Sequence, residues 1–270
     1  MLALDLDDSL LRSDFSVSAY TRSIIKRVEE AGILVVLVSG RIPAAMDTIS
    51  RLLGMHKRPG YLICNNGAII QETQSSEIVY EVTIPSALAV LAFDLADAEG
   101  FPVQIYDNNI MYISRANEYS DYDQKITGFR QVVVENFREM VSAGCCRLLI
   151  PGDPMILSPL EKLLRVYVDS LTFYANGPYS LEILPPNTNK GSALARVAEL
   201  LAIDRESVLA IGNSMVDSEM LAWAGIGVAM ANGDDQIKHI AAAVTEKGND
   251  EDGIADFLER YILGQEKLPV

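Results

Sequence analysis

The stretch Ile33-Leu34-Val35-Val36-Leu37-Val38-Ser39-Gly40-Arg41 decides how this chain is read. An unbroken apolar, largely β-branched run suits a strand buried on both faces, and such strands belong to parallel sheets covered by helices. Ser39-Gly40-Arg41 ends the run, and a helix is predicted from there to about Leu53. Upstream, Tyr20, Ile24 and Val28 recur at helical spacing within residues 16–31, and Gly32 is placed to stop that helix. Before it, residues 1–6 read as a short apolar strand that runs into acids. Downstream, Tyr61–Cys64 is a third apolar strand, ending in the turn signal Asn65-Asn66-Gly67. Strand, helix, strand, helix, strand in this order predicts an α/β fold with a parallel sheet and right-handed crossovers. Ligands bind beyond the carboxyl ends of such strands. Asp5, Asp7, Ser39 and Asn66 all fall there.

From about residue 78 to 186 the pattern changes. Strands are expected at Ile78–Ile84, Val103–Tyr106, Met111–Ser114, Arg147–Ile150, Leu171–Ala175 and Ser180–Leu184. Helices are expected at Ala87–Ala98 and Leu160–Val168, and Asn108-Asn109 reads as a hairpin turn. Strands joined by hairpins predict an inserted α+β segment rather than more parallel sheet. Pro185-Pro186 and residues 187–189 read as its exit. The α/β rhythm then returns, with helices at Ser192–Leu201, Ser218–Ala224, Asp234–Ala243 and Gly253–Ile262. Strands are expected at Val208–Ile211, Gly227–Met230 and Ala243–Thr245.

The chain has 270 residues, 49% of them hydrophobic, and a formal net charge of −15, so it is expected to bury a real core. The excess acid argues against nucleic acid or an anionic membrane as partner, since both need basic patches. A small anionic substrate is still admitted, because backbone N–H groups, one lysine and a cation can cradle phosphate inside an acidic protein. Cys64, Cys145 and Cys146 lack the spacing of a zinc site and read as free thiols of a reducing cytoplasm. The first residues have no basic segment or long apolar run, so no signal peptide is expected, and no stretch is long enough to span a membrane. The lead before Asp5 is short, which is expected of a tight start or a misplaced start codon. His56 and His239 are expected at the surface and receive no role.

Asp5-Leu6-Asp7-Asp8-Ser9 crowds acids at a strand end. A lone cluster of this kind is usually a solvated turn, but here apolar residues flank it on both sides. A hard, oxygen-seeking cation such as Mg²⁺ would relieve the repulsion. One carboxylate could attack phosphorus, and another could protonate the leaving alkoxide and then activate water. Ser39 and the backbone N–H groups after it, at a helix start, form an anion-binding corner, although helix capping alone explains a serine there. Lys190 could neutralise a phosphoryl oxygen, although exposure is the commoner fate of a single lysine. Asn213 and Asp217, in the turn Gly212-Asn213-Ser214-Met215-Val216-Asp217, could offer oxygen to a metal or could serve as plain turn and cap residues.

Taken together and in this order, these segments resemble the haloacid dehalogenase superfamily, specifically its Cof-type branch, subfamily IIB. The resemblance covers essentially the whole chain. It rests on Asp5-Leu6-Asp7-Asp8-Ser9, Ser39-Gly40-Arg41, Lys190-Gly191 and Gly212–Asp217. Asn65-Asn66-Gly67-Ala68, the small-residue segment 224–232 and Asn249-Asp250-Glu251-Asp252-Gly253 carry the branch. It implies a Rossmann-like, doubly wound core (1–77 and 187–270) with an α/β cap inserted at 78–186. It also implies a phosphatase acting on a small phosphorylated metabolite, a sugar phosphate or similar, through an aspartyl-phosphate. Asp5 would be the nucleophile and Asp7 the general acid/base. Ser39, Gly40, Arg41, Asn66 and Lys190 would bind phosphate. Mg²⁺ would be held by the Asp5 carboxylate, the Asp7 main-chain carbonyl and the loop carrying Asn213 and Asp217.

The chain departs from the family at two places that matter. The family usually has Asp where Asn213 stands and Asn where Val216 stands. Asn213 brings no charge to a cation, and Val216 cannot hydrogen-bond phosphate. Weaker Mg²⁺ binding, altered substrate handling or lost turnover is therefore expected. An inactive ligand-binding or regulatory protein and a phosphomutase are the alternatives to a phosphatase.

Overall fold

The computed structural model of the chain describes residues 1–176, 180–264 and 266–267. Residues 177–179, within the expected insert, and 265 and 268–270, within the expected core, lie outside the described residues. The chain divides into two compact units, residues 1–80 with 189–270, and residues 81–188.

In chain order the first unit opens with β1 (Leu2–Asp5), α1 (Ala19–Glu30), β2 (Val35–Val38), α2 (Pro43–Leu53), β3 (Gly60–Cys64), β4 (Ile69–Glu72) and β5 (Ile78–Glu81). The second unit holds α3 (Ser86–Ala98), β6 (Gln104–Asp107), β7 (Ile110–Ile113), α4 (Glu118–Thr127) and β8 (Arg130–Val133). It continues with α5 (Phe137–Ser142), β9 (Leu148–Pro151), α6 (Pro154–Tyr167), β10 (Thr172–Asn176) and β11 (Ser180–Leu184). The first unit then resumes with α7 (Lys190–Leu200), β12 (Leu209–Gly212), α8 (Ser218–Trp223), β13 (Ile226–Ala229), α9 (Asp235–Ile240), β14 (Ala243–Val244) and α10 (Gly253–Phe257).

Among the described residues the first unit builds one sheet in the order β14-β13-β12-β1-β2-β3-β4-β5. From β14 to β3 every pairing is parallel, and β4 runs antiparallel to β3. β1 lies between β12 and β2, with Leu4 opposite Ile211 and Leu37. All residues of β1, β2 and β12 are buried, as a strand covered on both faces demands. Val36, Val38, Ile63, Ala210 and Ala229 pack with Leu194 and Val197 of α7 and Met220 and Leu221 of α8. Helix ends follow local chemistry. The Ser18 hydroxyl accepts from Thr21 N to start α1, Pro43 opens α2, and Gly54 closes it at φ +80°. α7 begins at Lys190, two residues before the expected Ser192, because Asn189 and Ser192 form a reciprocal capping box around its first turn. Gly67, at φ +108°, has no room for a Cβ, which would stand 2.4 Å from the Asn189 carbonyl oxygen.

The second unit builds a sheet in the order β10-β11-β9-β6-β7-β8. Its pairings are antiparallel except β7 with β8. One face carries Ile105, Leu148, Ile150, Leu181 and Ile183, packed with Ala92 and Phe93 of α3, Phe137 and Val141 of α5 and Leu160 and Leu164 of α6. On the other, Gln104, Leu149 and Glu182 stand in register across β6, β9 and β11. The hairpin at Asn108-Asn109 is present, with Asn108 at φ +48°.

Two differences from the sequence expectation have clear causes. α6 starts at Pro154 rather than Leu160, since Asp153 caps it and Pro154 suits a first turn, while Pro159 reads locally as a breaker. α4, β8 and α5 lie in a polar stretch without a strong period and were not anticipated. Among the described residues no helix is long and apolar enough to cross a membrane.

Candidate active site

β1 delivers Asp5 at its carboxyl end. The chain then folds into a tight turn over Leu6–Leu10, closed by Leu11 N donating to the Leu6 carbonyl at 2.8 Å. Asp8 takes the left-handed region at φ +55°, a conformation that Asp tolerates better than most residues.

Asp5 is 4% exposed. Lys190 Nζ, at the first position of α7, donates to Asp5 Oδ1 at 2.6 Å and to Asp217 Oδ1 at 2.6 Å. Burial, and after it the Asp217 carboxylate, pushes Asp5 up to about 7 against the pull of Lys190. Burial works against the charge of Lys190 itself, but Asp217 and Asp5 outweigh it and hold the ammonium above the ordinary lysine range. The second oxygen of Asp5, Oδ2, is buried without a hydrogen-bond partner.

Asp217 is fully buried and already engaged on both oxygens. Lys190 takes Oδ1, and Oδ2 accepts from Asn213 N at 3.0 Å, Ser214 N at 3.1 Å and the Ser214 hydroxyl at 3.3 Å. This curl leaves no space at Gly212, whose added Cβ would lie 2.6 Å from Asp217 Cγ. The Asn213 side-chain oxygen accepts from the Ser9 hydroxyl at 3.3 Å. Val216 is half-buried in the same loop.

Asp7 belongs to a second group. Arg41 Nε donates to Asp7 Oδ2 at 3.0 Å, and Arg41 Nη2 donates to Asp7 Oδ1, a two-pronged grip. The Ser39 hydroxyl donates to Asp7 Oδ2 at 3.4 Å and accepts from Arg41 N at 3.2 Å. The Arg41 guanidinium also lies 5.6 Å from the centre of the Phe15 ring. Asn66, 4% exposed and at φ +51°, donates its N–H to the Ser39 carbonyl at 3.0 Å. A Cβ on Gly40 would stand 3.0 Å from its side-chain nitrogen, so the Gly40 backbone lies close against it.

The structure thus gathers Asp5, Lys190 and Asp217 into one buried triad, and Asp7, Ser39 and Arg41 into a group beside it. Asn66 is set against Gly40, and Asn213 against Ser9. Phe15, Asn232, Asn249 and Asp252 were not among the anticipated residues. Asn232 sits in the segment 224–232 and the last two in the segment 249–253, both of which carry part of the family resemblance, which was the signal available; Phe15 had none.

Among the described residues no three His, Cys, Asp or Glu side chains converge as a ready-made metal cluster. The donors nonetheless fit a hard cation that keeps much of its own water. The unpartnered Asp5 Oδ2, the Asp7 carbonyl and the neutral Asn213 side-chain oxygen are all oxygen donors, at or just beyond the carboxyl ends of the paired strands β1 and β12. Asp217, with both oxygens taken, suits a positioning role better than direct ligation.

The family model described as haloacid dehalogenase-like hydrolase matches residues 2–258. The chain belongs to that family, in its Cof-type branch, and the class so defined is that of phosphoric monoester hydrolases. A Bacillus subtilis protein named 5-amino-6-(5-phospho-D-ribitylamino)uracil phosphatase YwtE is 28% identical, over 98% of this chain and 98% of its own. A haloacid dehalogenase-like hydrolase from Bacteroides thetaiotaomicron superposes with TM-score 0.87 at 29% identity, over 96% of this chain and 98% of that one. The fold is also that of the subclass IIB sugar phosphatase BT4131, with TM-score 0.81 at 20% identity, over 96% of this chain and 97% of that one.

Proposed function

We propose that this protein is an Mg²⁺-dependent phosphatase that hydrolyses a small phosphorylated metabolite, a sugar phosphate or a related phosphoester. The observation that carries this reading is Asp5. It is a buried carboxylate at the end of a central parallel strand, with one oxygen fixed by Lys190 and the other unpartnered. In this reading the Asp5 carboxylate attacks phosphorus, forming an aspartyl-phosphate as the ester P–O bond breaks. Asp7 gives its proton to the departing alkoxide and then takes one from the water that hydrolyses the intermediate. Ser39, the Gly40 backbone, Arg41, Asn66 and Lys190 bind and orient the phosphoryl oxygens. The Asp5 carboxylate, the Asp7 carbonyl and Asn213 would hold Mg²⁺, with Asp217 fixing the loop. Bound Mg²⁺ would offset the repulsion between an anionic nucleophile and an anionic substrate.

Residues 78–186 act as a cap that selects the substrate, and 1–77 with 187–270 form the catalytic core. The names of the relatives support a phosphorylated polyol or sugar as substrate. Unpaired thiols at Cys64, Cys145 and Cys146 support a reducing, cytoplasmic setting. A ligand-binding protein on the same scaffold is the second reading, favoured by the neutral Asn213 and the fully engaged Asp217.

The test is phosphate release from p-nitrophenyl phosphate and a sugar-phosphate panel, with Mg²⁺ and with EDTA. Metal-dependent turnover is expected, falling by at least ~10³-fold in Asp5→Asn. Saturable phosphoester binding without turnover would instead establish the binding protein.

A further inference from the structure

The loop that follows the catalytic aspartates is gripped along its length from the far end of the chain. Asn232 Nδ2 donates to the Asp8 carbonyl at 2.8 Å. Asn249 Nδ2 donates to the Leu11 carbonyl at 3.0 Å. Arg12 Nη2 donates to Asp252 Oδ2 at 2.8 Å. Ser13 gives both its N–H, at 2.9 Å, and its hydroxyl, at 2.7 Å, to Asp250. The gripping residues are tied to each other as well, since Asn249 N donates to Asn232 Oδ1 at 3.1 Å. Their turn is fixed by Asp252 at φ +60° and by Gly253, where a Cβ would meet the Lys247 carbonyl oxygen at 2.1 Å.

The Asn249–Leu11 bond is buried, but stability alone does not account for the rest of this grip. Asp8, Ser13 and Asp250 are exposed, where water would satisfy the same groups. Polar contacts at such positions contribute little to folding. They do, however, select one conformation of the loop. That loop ends at Phe15, which is 57% exposed and at φ +62°, an uncommon setting for an aromatic residue. Its ring lies against Arg41, and Arg41 holds Asp7. The chain of contacts therefore runs from the 249–252 turn, through residues 8–15, to the proposed general acid.

We propose that Asn232 and the turn Asn249–Asp252 are a positioning clamp for the catalytic loop, fixing residues 8–15 so that Arg41 presents Asp7 in the orientation turnover requires. The clamp rests on the phosphatase reading. Asp250 is its most accessible part, because its replacement leaves the core untouched. In Asp250→Ala, kcat for p-nitrophenyl phosphate should fall by about tenfold with KM within about twofold, the signature of misplacement rather than lost binding. Asp250→Asn, which keeps an acceptor for Ser13 N, should recover much of that loss. Adding Ser13→Ala to Asp250→Ala should lower kcat no further, since the two act as one unit. Hydrogen exchange should quicken at amides 8–16 and stay unchanged in the strands. An unaltered kcat in Asp250→Ala, or unaltered exchange at residues 8–16, overturns the clamp. Should the parent protein itself show no turnover, the phosphatase reading fails, and the exchange measurement alone decides whether the clamp exists.

Discussion

The two sheets of this molecule keep their polar groups in different places. In the first unit, β1, β2 and β12 are buried throughout and carry Asp5, Ser39 and Asn213 only at or just beyond their carboxyl ends. In the second, polar side chains stand within the strands themselves. Gln104 and Glu182 are both 0% exposed and share a row with Leu149, and Arg147, just before β9, pairs with Glu182 at 2.9 Å. A parallel sheet covered on both faces has no side on which to place a polar group, so its chemistry collects at one rim. A mixed sheet with its helices packed on one face leaves a second face free to carry an ordered polar row. Buried ions therefore have different standing in the two units: at the rim they are disposed for reaction, and in the row they can be structural.

The sharpest way to break this contrast is Lys190→Met. It strands Asp5 and Asp217 in the core and should cost about 5 kcal/mol, the upper end for breaking a buried ionic group, with turnover lost as well. Denaturant unfolding beside a phosphate-release assay reads both, and a stable, active variant would erase the distinction. In the second unit, Glu182→Leu should cost about 3 kcal/mol by taking the buried carboxylate away from Arg147. The double change Arg147→Met with Glu182→Leu should return most of that stability and leave turnover of p-nitrophenyl phosphate intact. Loss of turnover in a stable double variant would make the row part of the reaction. The smallest effect is expected from Asn213→Asp, which adds one negative charge at the rim. It should tighten Mg²⁺ by about tenfold, or about 1.4 kcal/mol, in a calorimetric titration. Unchanged affinity would remove Asn213 from the cation site.

Legibility in the sequence followed the same division. The continuous run Ile33–Val38 announces β2, and Tyr61–Cys64 announces β3, because two-sided burial leaves no polar residue to interrupt either. It was equally legible that Asp5, Ser39 and Asn66 end parallel strands, since each follows such a run directly. The stretch from Glu118 to Ser142 was illegible because α4, β8 and α5 are short, and few of their residues are fully buried. Within the site, residue types could be read but not their pairings. Arg41 and Asp7 are 34 positions apart, and nothing local says that the guanidinium grips that carboxylate. Asp217 was readable either as an oxygen donor to a metal or as a plain turn and cap residue. Its actual partners depend on how tightly the loop curls past Gly212, which only the folded backbone reveals. The grip of residues 249–252 on residues 11–13 spans nearly the whole chain and has no periodic signature at all.

The burial of Lys190 also has a consequence for reagents. Lys190 is 4% exposed and its amine is held as an ammonium between two carboxylates, so it has neither the access nor the free electron pair that acylation needs. An amine-reactive label would mark outlying lysines such as Lys26 while passing this one by. Acylation at Lys190 would then register openings of the site, an internal clock for how often the centre of the first unit comes apart.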